Sequence, residues 1–205
     1  VMKIALFGAT GRVGRYIIKM ALRDGNEVKA LVRTADFDPH DNLEIIVGNV
    51  RNAEDIRRTV QGADAVISAI GTDRTTTLSD ATPLIVQAME AEGVRRVITI
   101  GTAGILNSRF SPGLLRYQGG DSKRQLTFAA EEHERAYKTL EQSDLDWTIV
   151  CPTYLPDGKP KGYFRFEKNY LPEDGKEITA GDTALFAYEQ LESDDFLKSR
   201  VGIAY

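Results

Sequence analysis

Lys3-Ile4-Ala5-Leu6-Phe7-Gly8-Ala9-Thr10-Gly11-Arg12-Val13-Gly14 opens on a short, largely apolar run stopped by glycine, and Val13, Ile17, Ile18 and Ala21 then recur at helical spacing as far as Asp24-Gly25. The stretch reads as a strand, a tight turn and a helix. Backbone N–H groups and the positive end of the helix dipole meet at such a junction, where they can hold a pyrophosphate. Each glycine has its own reason to be there. Gly8 permits the sharp turn, Gly11 lets the backbone approach phosphates with no Cβ in the way, and Gly14 lets helix and sheet pack closely. A glycine triplet alone is weak; at the first strand–helix junction of a βαβ unit it points to a dinucleotide site.

Outward from this turn, strand-like runs alternate with helix-length segments. Strands are expected at Glu27 to Val32, Leu43 to Val47, Ala63 to Ser68, Arg96 to Ile100 and Trp147 to Cys151, all rich in Val, Ile and Leu. Runs this apolar suit a sheet covered on both faces. Helices are expected from Ser79 to Glu92, from about Ser122 to Gln142 and from about Ala180 to Leu191, the last opened by Thr179-Ala180-Gly181-Asp182 at capping-box spacing. The pattern predicts an α/β fold: one Rossmann-type domain over residues 1–205, a doubly wound parallel sheet with helices on both faces and a small C-terminal elaboration on the substrate side.

Two segments break the rhythm. Residues 103–121 mix Gly, Pro, Asn and aromatics without period, and residues 152–176 are rich in Pro, Gly, Lys and Tyr. Both follow strand C-termini, where open α/β sheets place their ligand crevice, so they are expected to form the substrate side. Alternation of Tyr163 and Arg165 with Phe164 and Phe166 suggests a small hairpin.

Composition narrows the function classes. With 205 residues, 42% hydrophobic and 27% charged, the chain can bury about 70% of its unfolded surface without staples. Lys and Arg number 26 against 30 Asp and Glu, a net charge of −4 without a basic run, which argues against a nucleic-acid partner. One cysteine, Cys151, and two histidines, His40 and His133, assemble no metal site. No apolar stretch approaches the roughly 20 residues of a membrane helix, and no signal-peptide pattern opens the sequence. A cytoplasmic location is expected, with a small molecule as partner.

The end of the second strand bears on the cofactor. A carboxylate there would hold both ribose hydroxyls of NAD, whereas Arg33 would attract the 2′-phosphate of NADP, with Arg12 placed to assist. NADPH is favoured, although Asp36 and Asp38 leave room for NAD, and Arg33 can also be read as a solvated surface charge.

Ile4-Ala5-Leu6-Phe7-Gly8-Ala9-Thr10-Gly11, Asp144-Leu145-Asp146-Trp147-Thr148-Ile149-Val150-Cys151-Pro152 and Ile178-Thr179-Ala180-Gly181-Asp182 together resemble the atypical short-chain dehydrogenase/reductases of the NAD(P)H-binding, NmrA-like kind. Within that group the chain looks most like biliverdin-IXβ reductase/flavin reductase and bacterial NADH-flavin reductase-like proteins. The resemblance implies cofactor contacts along the chain. Gly48-Asn49-Val50 matches a segment whose acid contacts adenine, with Asn49 departing from the usual Asp. Ala69-Ile70-Gly71 matches the loop under the cofactor ribose. Thr102 matches the Ser or Thr beside the nicotinamide, and Pro152-Thr153-Tyr154 the segment bordering it.

Ordinary short-chain dehydrogenases carry a Tyr-x-x-x-Lys pair, and by this resemblance those positions fall on Ala129 and His133. Tyr117 is followed by Asp121 at the fourth position and does not recreate the pair. His133 resembles the histidine of the biliverdin reductase group; it can be a core histidine on an apolar helix face or a ribose contact. Thr102 can orient the nicotinamide or merely cap the backbone. Without an acid/base pair, hydride transfer to a flavin (FMN or FAD) or similar planar acceptor is the expected chemistry, because it needs mainly distance and orientation. A non-catalytic redox sensor and a redox-neutral epimerase or isomerase are the alternatives. Phe110, Tyr117, Tyr154, Tyr163 and Phe164 are candidates to line the acceptor pocket or to anchor its loops, and Cys151 is not expected to be a nucleophile.

Overall fold

A computed structural model describes residues 1–34, 36–122 and 125–205. The opening stretch forms β1 (Lys3–Phe7), a turn and α1 (Arg12–Arg23). There follow β2 (Glu27–Val32), β3 (Leu43–Val47), α2 (Ala53–Val60), β4 (Ala65–Ser68), α3 (Thr77–Glu92), β5 (Arg96–Ile100), α4 (Arg116–Gly119), α5 (Phe128–Glu141), β6 (Asp146–Pro152), β7 (Arg165–Lys168), α6 (Ala180–Glu189) and β8 (Ser199–Ala204). They build one eight-stranded sheet of order β3-β2-β1-β4-β5-β6-β8-β7. Every pairing is parallel except β7 with β8.

Alternation along each strand divides the core in two. Ala5 and Phe7 of β1 point to the face covered by α2, α3 and α5, where Ile56, Ile85, Met89 and Leu140 pack. Ile4 and Leu6 point to the other face, where α1 and α6 bring Ile17, Ile18, Ala184 and Ala187. Near-continuous apolar strands are therefore what a sheet covered on both sides needs. The sheet is the expected Rossmann arrangement, mostly parallel and flanked by helices.

The structure adds and corrects several elements. α2 and β8 carry no sequence expectation, and the α5 helix begins at Phe128, not Ser122, after the separate turn of α4. The hairpin expected around residues 163–166 is not local. β7 instead pairs with β8, Arg165 opposite Ala204 and Phe166 opposite Ile203, more than 30 residues along the chain. The cap at Thr179 is present, its hydroxyl accepting from Asp182 N–H at 3.1 Å. Asp182 does not reciprocate as a capping box would: its carboxylate accepts from the N–H groups of Lys161 and Gly162, both at 2.9 Å, and from the Tyr205 hydroxyl. The backbone N–H of Thr179 donates to Tyr205 Oη instead, at 3.3 Å.

Both irregular segments are anchored by buried charges. Asp121 accepts from the Ser108 hydroxyl and, at 2.9 Å, from Arg109 N–H, closing the loop over residues 108–121. Arg200 of β8 reaches back to the Ile105 carbonyl and to Asn107 Oδ1, the latter at 2.9 Å, with its guanidinium over the Tyr137 ring. No helix among the described residues is long and apolar enough to cross a membrane.

Candidate active site

The strand order reverses between β1 and β4, whose chains leave toward opposite faces through α1 and α3. A crevice opens at the C-terminal ends of strands at such a switch point. A cleft of about 270 Å³ lies there. Gly8, Thr10, Gly11, Arg33, Asn49, Val50, Ala69, Ile70 and Gly71 all line it, so nine expected cofactor residues from four strand ends converge on one space. A groove of about 300 Å³ at the opposite strand ends, between Lys3, Lys29 and Asn42, lies away from the glycine turn.

The glycines of the turn differ in what they do. Gly8 has φ +79°, and a Cβ there would lie 2.4 Å from the Ala69 carbonyl. On Gly14 a Cβ would lie 2.0 Å from the Gly8 carbonyl oxygen. A Cβ on Gly11 would meet only the Gly8 oxygen, at an ordinary 3.5 Å. Fold packing thus demands Gly8 and Gly14 but leaves Gly11 open to a ligand. Gly11 is also the N-cap of α1 and has no side chain to satisfy the first-turn N–H groups. These groups are left for an anion, and the cradle fits the pyrophosphate of a dinucleotide.

At the end of β2, Arg33 is exposed and, among the described residues, carries no ion pair. Of the acids beside it, Asp36 accepts from the Thr34 hydroxyl at 3.0 Å. Asn49 is held by its own loop: its N–H donates to Asp55 at 3.0 Å, and its Oδ1 accepts from Arg51 N–H at 2.8 Å. That leaves one Oδ1 lone pair and the amide N–H groups for a ligand. The sequence reading missed Arg51, Asp73 and Thr77, which also line the cleft. Arg51 is tied to Asp80 and the Thr76 hydroxyl, each at 3.3 Å. The hydrogen bond from the Thr75 hydroxyl, seconded by that of Thr77, holds the Asp73 carboxyl below its usual range. The signal for Asp73 and Thr77 was the polar run Thr72-Asp73-Arg74-Thr75-Thr76-Thr77 that leads into α3.

A second pocket, about 210 Å³, lies past the ends of β5 and β6. Thr102, Thr153 and Tyr154 line it together with Tyr117, Ala129 and Ala130. Thr102 Oγ1 accepts from Gly104 N–H only at the 3.5 Å limit, which leaves its hydroxyl proton for a ligand. Of the aromatic candidates, Tyr117 and Tyr154 are in the wall. Phe164 instead packs edge-on against Phe186 at 5.7 Å, Tyr163 lies beside Tyr205 at 6.3 Å, and Phe110 is 77% exposed outside the lining.

Arg12, Val13, Gly14, Pro152 and His133 line neither space. The Arg12 guanidinium donates to the Leu155 carbonyl at 2.7 Å, bridging the turn to the loop after β6. Val13 and Gly14 are buried beneath the turn, and Pro152 closes β6 opposite Ile203. His133 is half-buried against Gly101, Thr99 and Ser68, and among the described residues it makes no hydrogen bond. Burial pushes its ionisation down to about 4, so it is neutral at physiological pH.

The pocket is poor in acid/base groups. Tyr117 donates its hydroxyl to Glu134, and burial together with that carboxylate pushes the phenol up to about 12. Ala129 puts a methyl group in the wall. Cys151 is fully buried and its thiol is pushed up to about 12 by burial, so it stays protonated. No cluster of potential metal ligands occurs among the described residues.

Sheet order, glycine turn and crevice together define a dinucleotide-binding Rossmann domain. The chain belongs to the NAD(P)H-binding family, whose model matches residues 8–194. It is 27% identical to the uncharacterized protein YwnB of Bacillus subtilis over 97% of this chain and 96% of that one. Eugenol synthase 2 of Clarkia breweri is 29% identical over 79% of this chain, which spans half of that enzyme's length. Among solved structures, a Streptococcus pneumoniae protein provisionally named an NADH-flavin reductase superposes with a TM-score of 0.85 at 24% identity, covering 100% of this chain and 99% of that one. A short-chain dehydrogenase/reductase of Veillonella parvula in complex with NADP gives 0.79 at 19% identity, covering 100% and 94%. Both likenesses are of fold. The fold is thus shared by proteins of different names.

Two outcomes follow from this geometry. Gly11→Ala should cost about 1 kcal/mol of stability or less, yet weaken NADP⁺ binding at least about tenfold, one lost charge-assisted contact. Gly14→Ala should cost about 3 kcal/mol through overpacking. Calorimetric titration and urea unfolding separate the two; equal losses of binding and stability in Gly11→Ala would refute the assignment. His133, with a folded value of about 4 below the ordinary value of about 6.5, takes its proton more readily in the unfolded chain. Its contribution to stability is therefore complete above about pH 6.5 and is lost progressively as pH falls toward about 4. Urea midpoints measured across that window should fall less steeply in His133→Gln.

Proposed function

We propose that the chain is an NAD(P)H-dependent reductase that passes hydride from NADPH to a flavin, FMN or FAD, or to a similar planar conjugated acceptor. The bound nicotinamide supplies the hydride, and a proton from water completes the reduction, so that NADPH, H⁺ and flavin give NADP⁺ and dihydroflavin. In this reading the turn from Gly8 to Gly14, Thr10, Arg12 and Val13 included, holds the pyrophosphate through backbone N–H groups. Arg33 takes the 2′-phosphate, Asn49 and Val50 border adenine, and Ala69-Ile70-Gly71 runs under the ribose. Thr102 donates its free hydroxyl to the nicotinamide carboxamide, and Pro152-Thr153-Tyr154 backs the ring. His133, neutral and packed under Gly101, positions the ribose end of the site.

One observation carries this reading. The pocket beside the dinucleotide crevice has open volume and aromatic walls, but its described lining holds no carboxylate or histidine: Ala129 replaces a tyrosine and Tyr117 has committed its proton to Glu134. Alcohol oxidation and epimerisation need a positioned acid/base in the transition state. Hydride transfer between stacked rings needs proximity and orientation. The provisional name of the Streptococcus relative agrees with that chemistry.

Anaerobic oxidation of NADPH in the presence of FMN, with NADH in parallel, tests the proposal. Saturable turnover above the buffer rate is expected, with NADPH preferred; tight NADPH binding without turnover would favour the sensor reading. Arg33→Asp should raise the KM for NADPH by about tenfold or more, the loss of one charge-assisted phosphate contact, and change that for NADH far less. An unchanged preference would overturn the 2′-phosphate assignment.

A further inference from the structure

Among the described residues, the lining of the acceptor pocket includes one charged side chain, Arg116, set among the hydroxyls of Thr102, Tyr117, Thr127, Thr153 and Tyr154. No described carboxylate lines the pocket. Arg116 opens α4, and its backbone is fixed there by an N–H donated to the Leu106 carbonyl at 2.8 Å. The side chain is only 19% exposed. Its guanidinium is 3.7 Å from the Asp121 carboxylate, too far for a hydrogen bond. Asp121 is already committed to the Ser108 hydroxyl and to Arg109 N–H. Asp121 therefore balances the charge of Arg116 from behind without occupying its donors. Among the described residues the guanidinium has no hydrogen-bond acceptor at all, although it carries five N–H groups. Glu134 accepts the Tyr117 hydroxyl and is not part of the lining.

The Arg116 nitrogens are not among the buried polar atoms that lack a partner, so the guanidinium is a solvent-reached donor set in the wall of an open pocket. It suits a ligand that brings its own anion, because the planar fork matches two oxygens of a phosphate or carboxylate. We propose that Arg116 is a specificity-determining residue that selects planar acceptors carrying an anionic substituent, a phosphate monoester foremost, over neutral rings of the same shape. The inference rests on the reading of this pocket as the acceptor site.

FMN and riboflavin share the ring and the ribityl chain and differ by the phosphate, so the comparison isolates the charge. With the protein saturated in NADP⁺, flavin-fluorescence quenching should give a Kd for FMN at least about tenfold below that for riboflavin, the worth of one charge-assisted pair. The ratio should shrink as salt is raised, collapse toward one in Arg116→Met and survive largely in Arg116→Lys. Thermal unfolding of Arg116→Met checks that stranding Asp121 has not unfolded the chain, and the FMN-to-riboflavin ratio of the unsubstituted protein needs no variant. Equal affinities, a ratio unmoved by Arg116→Met, or no binding of either flavin would overturn the proposal. Selective FMN binding without NADPH oxidation would leave Arg116 in this role and remove the reductase reading. Equal kcat/KM for both flavins would do the reverse.

Discussion

The Gly8 carbonyl oxygen occupies the place where any side chain on residue 14 would begin, and the backbone of Ala69 and Ile70 crosses Gly8 as closely on its other side. Three pieces of main chain, the end of β1, the first turn of α1 and the exit of β4, are held at distances that exclude a Cβ. Everything on the C-terminal edge of the sheet depends on that packing. It sets the separation of β1 and β4, and because α1 and α3 leave them toward opposite faces, it sets the width of the crevice between. The first turn of α1 begins at the edge of that crevice with no side-chain cap on its N–H groups, so the tight crossing that stabilises the fold also leaves these donors for an anion.

Around the crevice, charge is distributed unevenly. The crevice at the ends of β1 to β4 presents Arg33 and Arg51, and the pocket past β5 and β6 presents hydroxyls, methyl groups and Arg116. Three titratable groups near the second pocket are kept from exchanging protons by burial or by a partner. His133 is held neutral, Tyr117 is protonated against Glu134, and Cys151 is sealed in β6. A pocket arranged in this way contributes little proton traffic of its own; in the proposed reading it acts by holding two rings together.

The two long segments past the ends of β5 and β6 owe their order to buried charged groups, two of them distant in the chain. Arg200 in β8 fixes residues 105 and 107, Asp182 in α6 fixes residues 161 and 162, and Asp121 closes its own loop on Ser108 and Arg109. Each substitutes hydrogen bonds for regular secondary structure, which is how irregular backbone is kept satisfied near a core. Removing one partner of such a contact leaves the other buried and unpaired, so these positions are more demanding than loop residues usually are.

Local signals made much of this readable in sequence. Glycine at positions 8, 11 and 14, apolar strands and 3.6-residue stripes are short-range features. They determined the Rossmann fold, the location of the dinucleotide turn and the bounds of β1, β2, β3 and β5, because each is specified by residues adjacent in the chain. Elements whose stability comes from distant partners were not readable. β8 and β7 exist through each other across more than 30 residues, and α2 is short, with only Ile56, Thr59 and Val60 buried. Side-chain direction was equally hidden: Phe164 and Tyr163 have the composition of pocket residues but pack on Phe186 and beside Tyr205, and Arg12 bonds to the Leu155 carbonyl. The sequence by itself determined which backbone can meet a pyrophosphate, since that depends on the absence of side chains at fixed local positions. Only the tertiary structure decided which side chains line the second pocket and which lack a partner, since that depends on where loops far apart in sequence are pinned.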